Sequence, residues 1–120
     1  MKRLAAALLA LCLAGPAFAQ AINSTTTNGA VVITAGNTFQ TVLAALGAPP
    51  AQRRSLTIAN NNSTDSCWIV VGGVLGSATK GISILLLPGG SYTRYYPYVP
   101  ADAIHATCTT TNDTLYIDTQ

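Results

Sequence analysis

The chain has 120 residues and a formal charge of +2, and only 8% of its residues are Asp, Glu, Lys or Arg, against about 25% in an ordinary domain. Two of its six basic residues, Lys2 and Arg3, stand at the very start; the other four (Arg53, Arg54, Lys80, Arg94) are matched by four Asp, so the rest of the chain is neutral. That balance gives no ground for nucleic acid or an anionic membrane as partner, and so little charge does not suit solvent-exposed helices.

Lys2 and Arg3 precede an apolar run, Leu4 to Leu13; Gly15 and Pro16 break it, and Ala17-Phe18-Ala19 places small residues around one arbitrary position before Gln20. This is the three-zone layout of a cleavable secretory signal covering residues 1–19. The run falls short of the roughly 20 apolar residues of a membrane span. A lipoprotein anchor at Cys12 is disfavoured, because Leu11 occupies the place where a small residue is needed. The expected product is exported, periplasmic or extracellular. It has 101 residues (120 less 19), with no membrane span, a flexible arm over 20–28 and one domain over 29–120.

Within that product Ala30 to Thr34 reads as a strand after the Asn28-Gly29 turn signal. Thr38 to Leu46 is ambiguous, with Phe39, Val42, Leu43 and Leu46 at helical spacing but Thr38 to Val42 alternating; the reading is a strand with a helical turn near Ala44–Leu46. Gly47 and Pro49-Pro50 force a loop. Arg54 to Asn60 is a strand with Leu56 and Ile58 on one face, followed by a polar turn through Asp65. Cys67 to Val71 is a short strand ending at Gly72-Gly73. Ile82 to Leu87 is apolar at almost every position, as in a strand buried from both sides or covered by a partner. Ser91 to Val99 alternates so that Tyr92, Arg94, Tyr96 and Tyr98 share a face, with Pro97 marking an edge or strand exit. Ile104, Ala106 and Cys108 share a face, and Leu115 and Ile117 close the last strand. The expectation is an all-β domain: an antiparallel sandwich or small barrel of seven or eight short strands. Sixteen Thr and no Glu suit pleated sheet with uncharged polar faces.

Cys67 and Cys108, the pair left after the leader, form a disulfide in an exported chain. Its loop of about 40 residues stabilises by roughly 3–4 kcal/mol in the chain-entropy model. Metal binding by these thiols would need close His or Cys partners that the sequence does not supply.

Catalytic chemistry finds few candidates. His105 is the single histidine, alternating with Ile104 and Ala106 as an outward-facing strand residue; no Gly-x-Ser-x-Gly elbow marks a serine for it. Neither Gly72-Gly73 nor Gly89-Gly90 continues into a phosphate loop. No cofactor is implied. The Asn-x-Ser/Thr matches at Asn23, Asn61, Asn62 and Asn112 are read as turns. The segment that stands out is Ser91 to Tyr98, holding Tyr92, Arg94, Tyr95, Tyr96 and Tyr98, four of the five tyrosines. Tyrosine and arginine bury large area while keeping a polar end, which suits protein contact; aromatic faces also stack on sugars.

The order of segments resembles a known group. Arg53-Arg54-Ser55-Leu56-Thr57-Ile58-Ala59-Asn60 is followed by a short strand, by Gly81-Ile82-Ser83-Ile84-Leu85-Leu86-Leu87-Pro88-Gly89-Gly90-Ser91-Tyr92, by Val99-Pro100 to Ile104, and by Leu115-Tyr116-Ile117. It is similar to small β-sandwich structural proteins of tailed bacteriophages, capsid decoration and virion accessory proteins among them, over about residues 30–118. The resemblance implies a non-enzymatic protein that assembles with itself as a homo-oligomer or with a larger particle. The secretory leader and the cysteine pair depart from that pattern. Two other classes stay open: a secreted module binding a carbohydrate or cell-surface ligand through the tyrosines, and a small hydrolase using His105.

Overall fold

The computed structural model describes residues 27–47 and 52–120; the leader expected over residues 1–19, and the expected arm as far as residue 26, lie outside them. Eight strands form: β1 (Thr27–Val32), β2 (Gln40–Leu43), β3 (Ser55–Asn60), β4 (Cys67–Val71), β5 (Ile84–Leu86), β6 (Ser91–Tyr95), β7 (Ile104–Cys108) and β8 (Thr114–Thr119). They make two antiparallel four-stranded sheets, β1-β8-β3-β6 and β2-β7-β4-β5, which are called here the first and second sheet. β1 pairs with β8, β2 with β7, β3 with β6 and β4 with β5. This nested pairing, folded over into two sheets, is the eight-stranded jelly roll.

Period-2 patterning decides which faces meet. In the first sheet Leu56, Ile58, Leu115 and Ile117 point inward and are buried, while Thr57, Ala59 and Tyr116 point out. The second sheet supplies Ile69, Ile104, Ala106 and the two cysteines to the same core. Cys67 and Cys108 face each other across β4 and β7 and are joined as a disulfide, with Cα atoms 4.0 Å apart and both residues fully buried. The expected staple is present, and it ties the two central strands of its sheet.

β7 is buried at all five positions, although its outer face points away from the core. The cover is the β4–β5 connection, residues 72–83, which carries two 3-10 turns, Leu75–Ser77 and Lys80–Ile82. Gly72 and Gly73 start it with φ of 78° and 76°, a left-handed backbone that glycine adopts without steric cost. The connection is held at both ends: Gly72 N–H donates to Ala103 O at 2.8 Å, and Lys80 Nζ sits 3.9 Å from the Trp68 ring centre while donating to Asn37 Oδ1 at 2.7 Å.

Several expectations need correction. The doubly buried strand is β7, whereas in the Ile82–Leu87 run Leu86 is buried but Ile82, Ile84, Leu85 and Leu87 are exposed; β5 is an edge strand with β4 on one side only. β1 begins at Thr27, ahead of the Asn28-Gly29 pair that was expected to be a turn, because Asn28 and Gly29 are held in register by Asp118 and Ile117. Residues 44–47 form no helical turn; the chain there is held instead by Leu46 N–H donating to Ala101 O at 2.8 Å and by Arg53. The last is buried, and its guanidinium donates to the carbonyls of Ala44, Pro100 and Asp102. Burial pushes its pKa down, and the Asp102 charge works against that shift.

Candidate functional site

The tyrosine segment does not run as one strand. β6 stops at Tyr95, and a turn follows in which Tyr98 N–H donates to Tyr95 O at 2.9 Å and the Tyr96–Pro97 peptide is cis. Pro97 thus marks a strand exit. Tyr92 and Arg94 lie opposite Ile58 and Leu56, on the inner face of an edge strand. Tyr92 packs against the core, and the Arg94 guanidinium lies 4.6 Å from its ring centre. Tyr95 points to the other face, and Tyr96 and Tyr98 belong to the turn, so the single face of Tyr92, Arg94, Tyr96 and Tyr98 expected from alternation is split.

The split changes what each ring can do. Tyr92 is half-buried and occupied by Arg94, whereas Tyr95, Tyr96 and Tyr98 are 68%, 66% and 81% exposed. The turn carrying them is anchored, since Tyr96 N–H donates to Arg54 O at 2.8 Å and Arg54 N–H donates to Gln120 O. Thr27, Thr119, Leu56 and Arg94 lie in one row across the first sheet. The three exposed rings therefore stand at the pole of the sandwich from which residue 27 and residue 120 both emerge.

His105 lies on the outer face of β7, as its alternation implied, but it is 4% exposed beneath the 72–83 connection. Its Nε2 is 3.3 Å from Gly73 O and its Nδ1 is 3.0 Å from Thr41 Oγ1. A carbonyl can only accept, so Nε2 carries the proton of that bond, and Nδ1 shares the other with the Thr41 hydroxyl. A hydroxyl, an imidazole and an orienting acceptor are the parts of an activated nucleophile. Here the same bonds are those a buried imidazole needs for its own satisfaction. A cleft of about 260 Å³ between the β1 and β2 edges is lined by Asn28, Gly29, Ala30, Val31, Val42, Leu43 and Ile117, and neither Thr41 nor His105 is among them.

Asp113 brings a carboxylate to within 4.8 Å of both cysteine sulfurs. The sulfurs are bonded to each other, so they offer no thiolate to a metal, and the carboxylate accepts Thr110 N–H at 3.2 Å. Of the Asn-x-Ser/Thr matches inside the described residues, Asn61 and Asn112 are exposed outside the strands. The Asn62 side chain is engaged, with Nδ2 donating to Asn60 Oδ1 at 2.7 Å.

No family model matches the chain, and neither a curated protein nor a solved structure matches it. Among the described residues no helix is long and apolar enough to cross a membrane.

Proposed function

We propose that this chain is an exported, non-enzymatic structural protein of the phage decoration and virion accessory kind, working through contacts with other proteins of an assembly. The observation that carries the reading is the cluster of Tyr95, Tyr96 and Tyr98, each about two thirds exposed or more, on a turn tied down by the Tyr96 N–H donating to Arg54 O and the Tyr98 N–H donating to Tyr95 O. Large rings held on a rigid support bury area at little entropic cost, which is the character of interface anchors. The jelly roll supports the reading by analogy of fold alone, as the architecture of capsid and lectin domains. The buried disulfide accords with an oxidising destination.

The test is fractionation of cells and medium into sedimenting particles and soluble protein, for the wild type and for a Tyr95→Ala, Tyr96→Ala, Tyr98→Ala variant. The wild type is expected in the particle fraction and the variant in the soluble one, with the disulfide and thermal transition of the variant retained. Recovery of both chains in the particles to equal extent rejects the tyrosines as the contact. Recovery of the wild type as soluble protein alone rejects the assembly role. The second reading, a carbohydrate-binding module, draws on the same free aromatic faces; retention of the wild type on immobilised glycans, lost in the triple variant, would favour it.

A further inference from the structure

The two flanks of the sandwich are finished differently. On the flank where β1 and β2 are the edges, Gln40 bridges the sheets: its Nε2 donates to Val32 O at 2.7 Å, and its Oε1 accepts from Thr34 N–H and Oγ1–H, both at 2.8 Å. β2 also shifts register between Thr41 and Leu43. An irregular edge and side chains bonded over it are devices that discourage pairing with another chain. The β5 edge lacks them: Ile84–Leu86 includes no charged residue and no Pro, and the charges nearest to it in sequence are engaged elsewhere, Lys80 with Trp68 and Asn37 and Arg94 of β6 over Tyr92.

The hydrogen-bond phase of β5 follows from the disulfide. Cα atoms 4.0 Å apart make Cys67 and Cys108 a close, non-hydrogen-bonded pair. Cys67 then directs its N–H and C=O to Leu86 on β5, and alternation turns the N–H and C=O of Leu85 to the free edge. The side chains around that free pair, Ile82, Ile84, Leu85 and Leu87, are 66%, 41%, 49% and 60% exposed.

We infer that β5 is a self-pairing edge whose occupant is β5 of a second copy, antiparallel about a two-fold axis at Leu85. Each Leu85 donates its N–H to the other's carbonyl, Ile84 of one copy meets Leu86 of its partner on the inner face, and the two second sheets become one of eight strands. A second copy fits for two reasons. β5 itself is uncharged and residues 20–120 have four cations against four carboxylates, so two copies meet without net repulsion and an antiparallel apolar edge is complementary to itself. The four exposed side chains of both copies together present at most on the order of 800 Å² for burial; backbone and the adjoining β6 edge bring this toward the roughly 1,200 Å² at the low end of specific interfaces. That size corresponds to a reversible dimer. The inference extends the assembly reading while centring on β5, apart from the turn that carries Tyr96 and Tyr98.

The experiment is sedimentation equilibrium of the purified, oxidised protein from about 1 to 500 µM, a range chosen for the weak, transient association found at the low end of interface size. It is run with amide exchange by NMR at both ends of the range. The mass is expected to rise two-fold with concentration, and the Leu85 amide to gain protection as it does so. Leu85→Lys sets two like charges across the axis and should hold the mass at that of one chain; Leu85→Cys should cross-link two copies on oxidation, while Tyr96→Cys should not. A wild type that stays monomeric throughout, or a Leu85 amide unaffected by dimer formation, overturns the inference; the second result does so even if the lysine variant fails to fold. A monomeric wild type that still enters particles through its tyrosines overturns this inference alone. A Leu85-dependent dimer that enters no particle overturns the assembly reading alone.

Discussion

Asn60 shows how much one polar side chain can organise when it is fully buried. Its Nδ2 donates to Asp65 O at 2.8 Å and to Leu86 O at 3.0 Å, and its Oδ1 accepts from Asn62 N–H at 3.1 Å and from Asn62 Nδ2 at 2.7 Å. It thereby ends β3, closes the polar turn after it and fastens that turn to β5 of the other sheet. Asn60→Ala removes four bonds and leaves the Leu86 carbonyl short of one donor inside the protein. The expected loss is about 2–4 kcal/mol, read as a lower urea midpoint with unchanged slope. A loss below about 0.5 kcal/mol would place the cohesion of the turn elsewhere. Arg53 does comparable work at the opposite pole, and its guanidinium fork is what lets one residue hold the carbonyls of Ala44, Pro100 and Asp102 at once.

At the level of elements, the disulfide joins β4 to β7 across a sequence separation of 41. Replacing both cysteines by Ala should cost about 4 kcal/mol through the freed loop of the unfolded chain, measured by chemical denaturation. In the intact protein both sulfurs are sealed in the core, so a reductant should act at a rate set by opening of the fold; rapid reduction without denaturant would contradict that burial. The strands themselves were legible from alternation: Leu56 with Ile58, Ile104 with Ala106 and Cys108, and Leu115 with Ile117 each show a period of two against a polar partner set. The cover over β7 was not. Alternation reports which side of a strand faces a core, and it is silent about a connection returning over the other side, held by Lys80 on Trp68 and Gly73 on His105. The same limit explains Ile82 to Leu87: a run apolar on both faces looks alike whether a layer covers it or it lies at an open edge. The tyrosine segment misled for a different reason. A strand pattern can continue through a turn by chance, and backbone hydrogen bonding ended β6 at Tyr95 while the alternation of residue types ran on. Composition found these residues; only the turn shows which rings are free.

Across the whole molecule the pairing is nested. Ile69 meets Ile84, Ser55 meets Tyr95, Gln40 meets Ala106 and Thr27 meets Thr119, separations of 15, 40, 66 and 92 residues by subtraction of those numbers. Contacts so distant in sequence place folding in the slow range of about milliseconds to seconds. β8 is an interior strand of the first sheet, with β1 on one side and β3 on the other, and it gives Leu115 and Ile117 to the core. A chain ending at Asp113 should therefore lack cooperative unfolding in calorimetry and show free exchange of β1 and β3 amides; a sharp transition in that shortened chain would mean that the second sheet stands alone.

That β8 comes last among the strands has a further consequence, one that concerns the newborn chain. Until β8 leaves the ribosome, the first sheet has no middle, and β1 waits without the neighbour it pairs with. Up to that point there is no closed sandwich to hold the chain, and the strand order sets the moment at which the two sheets can close on each other.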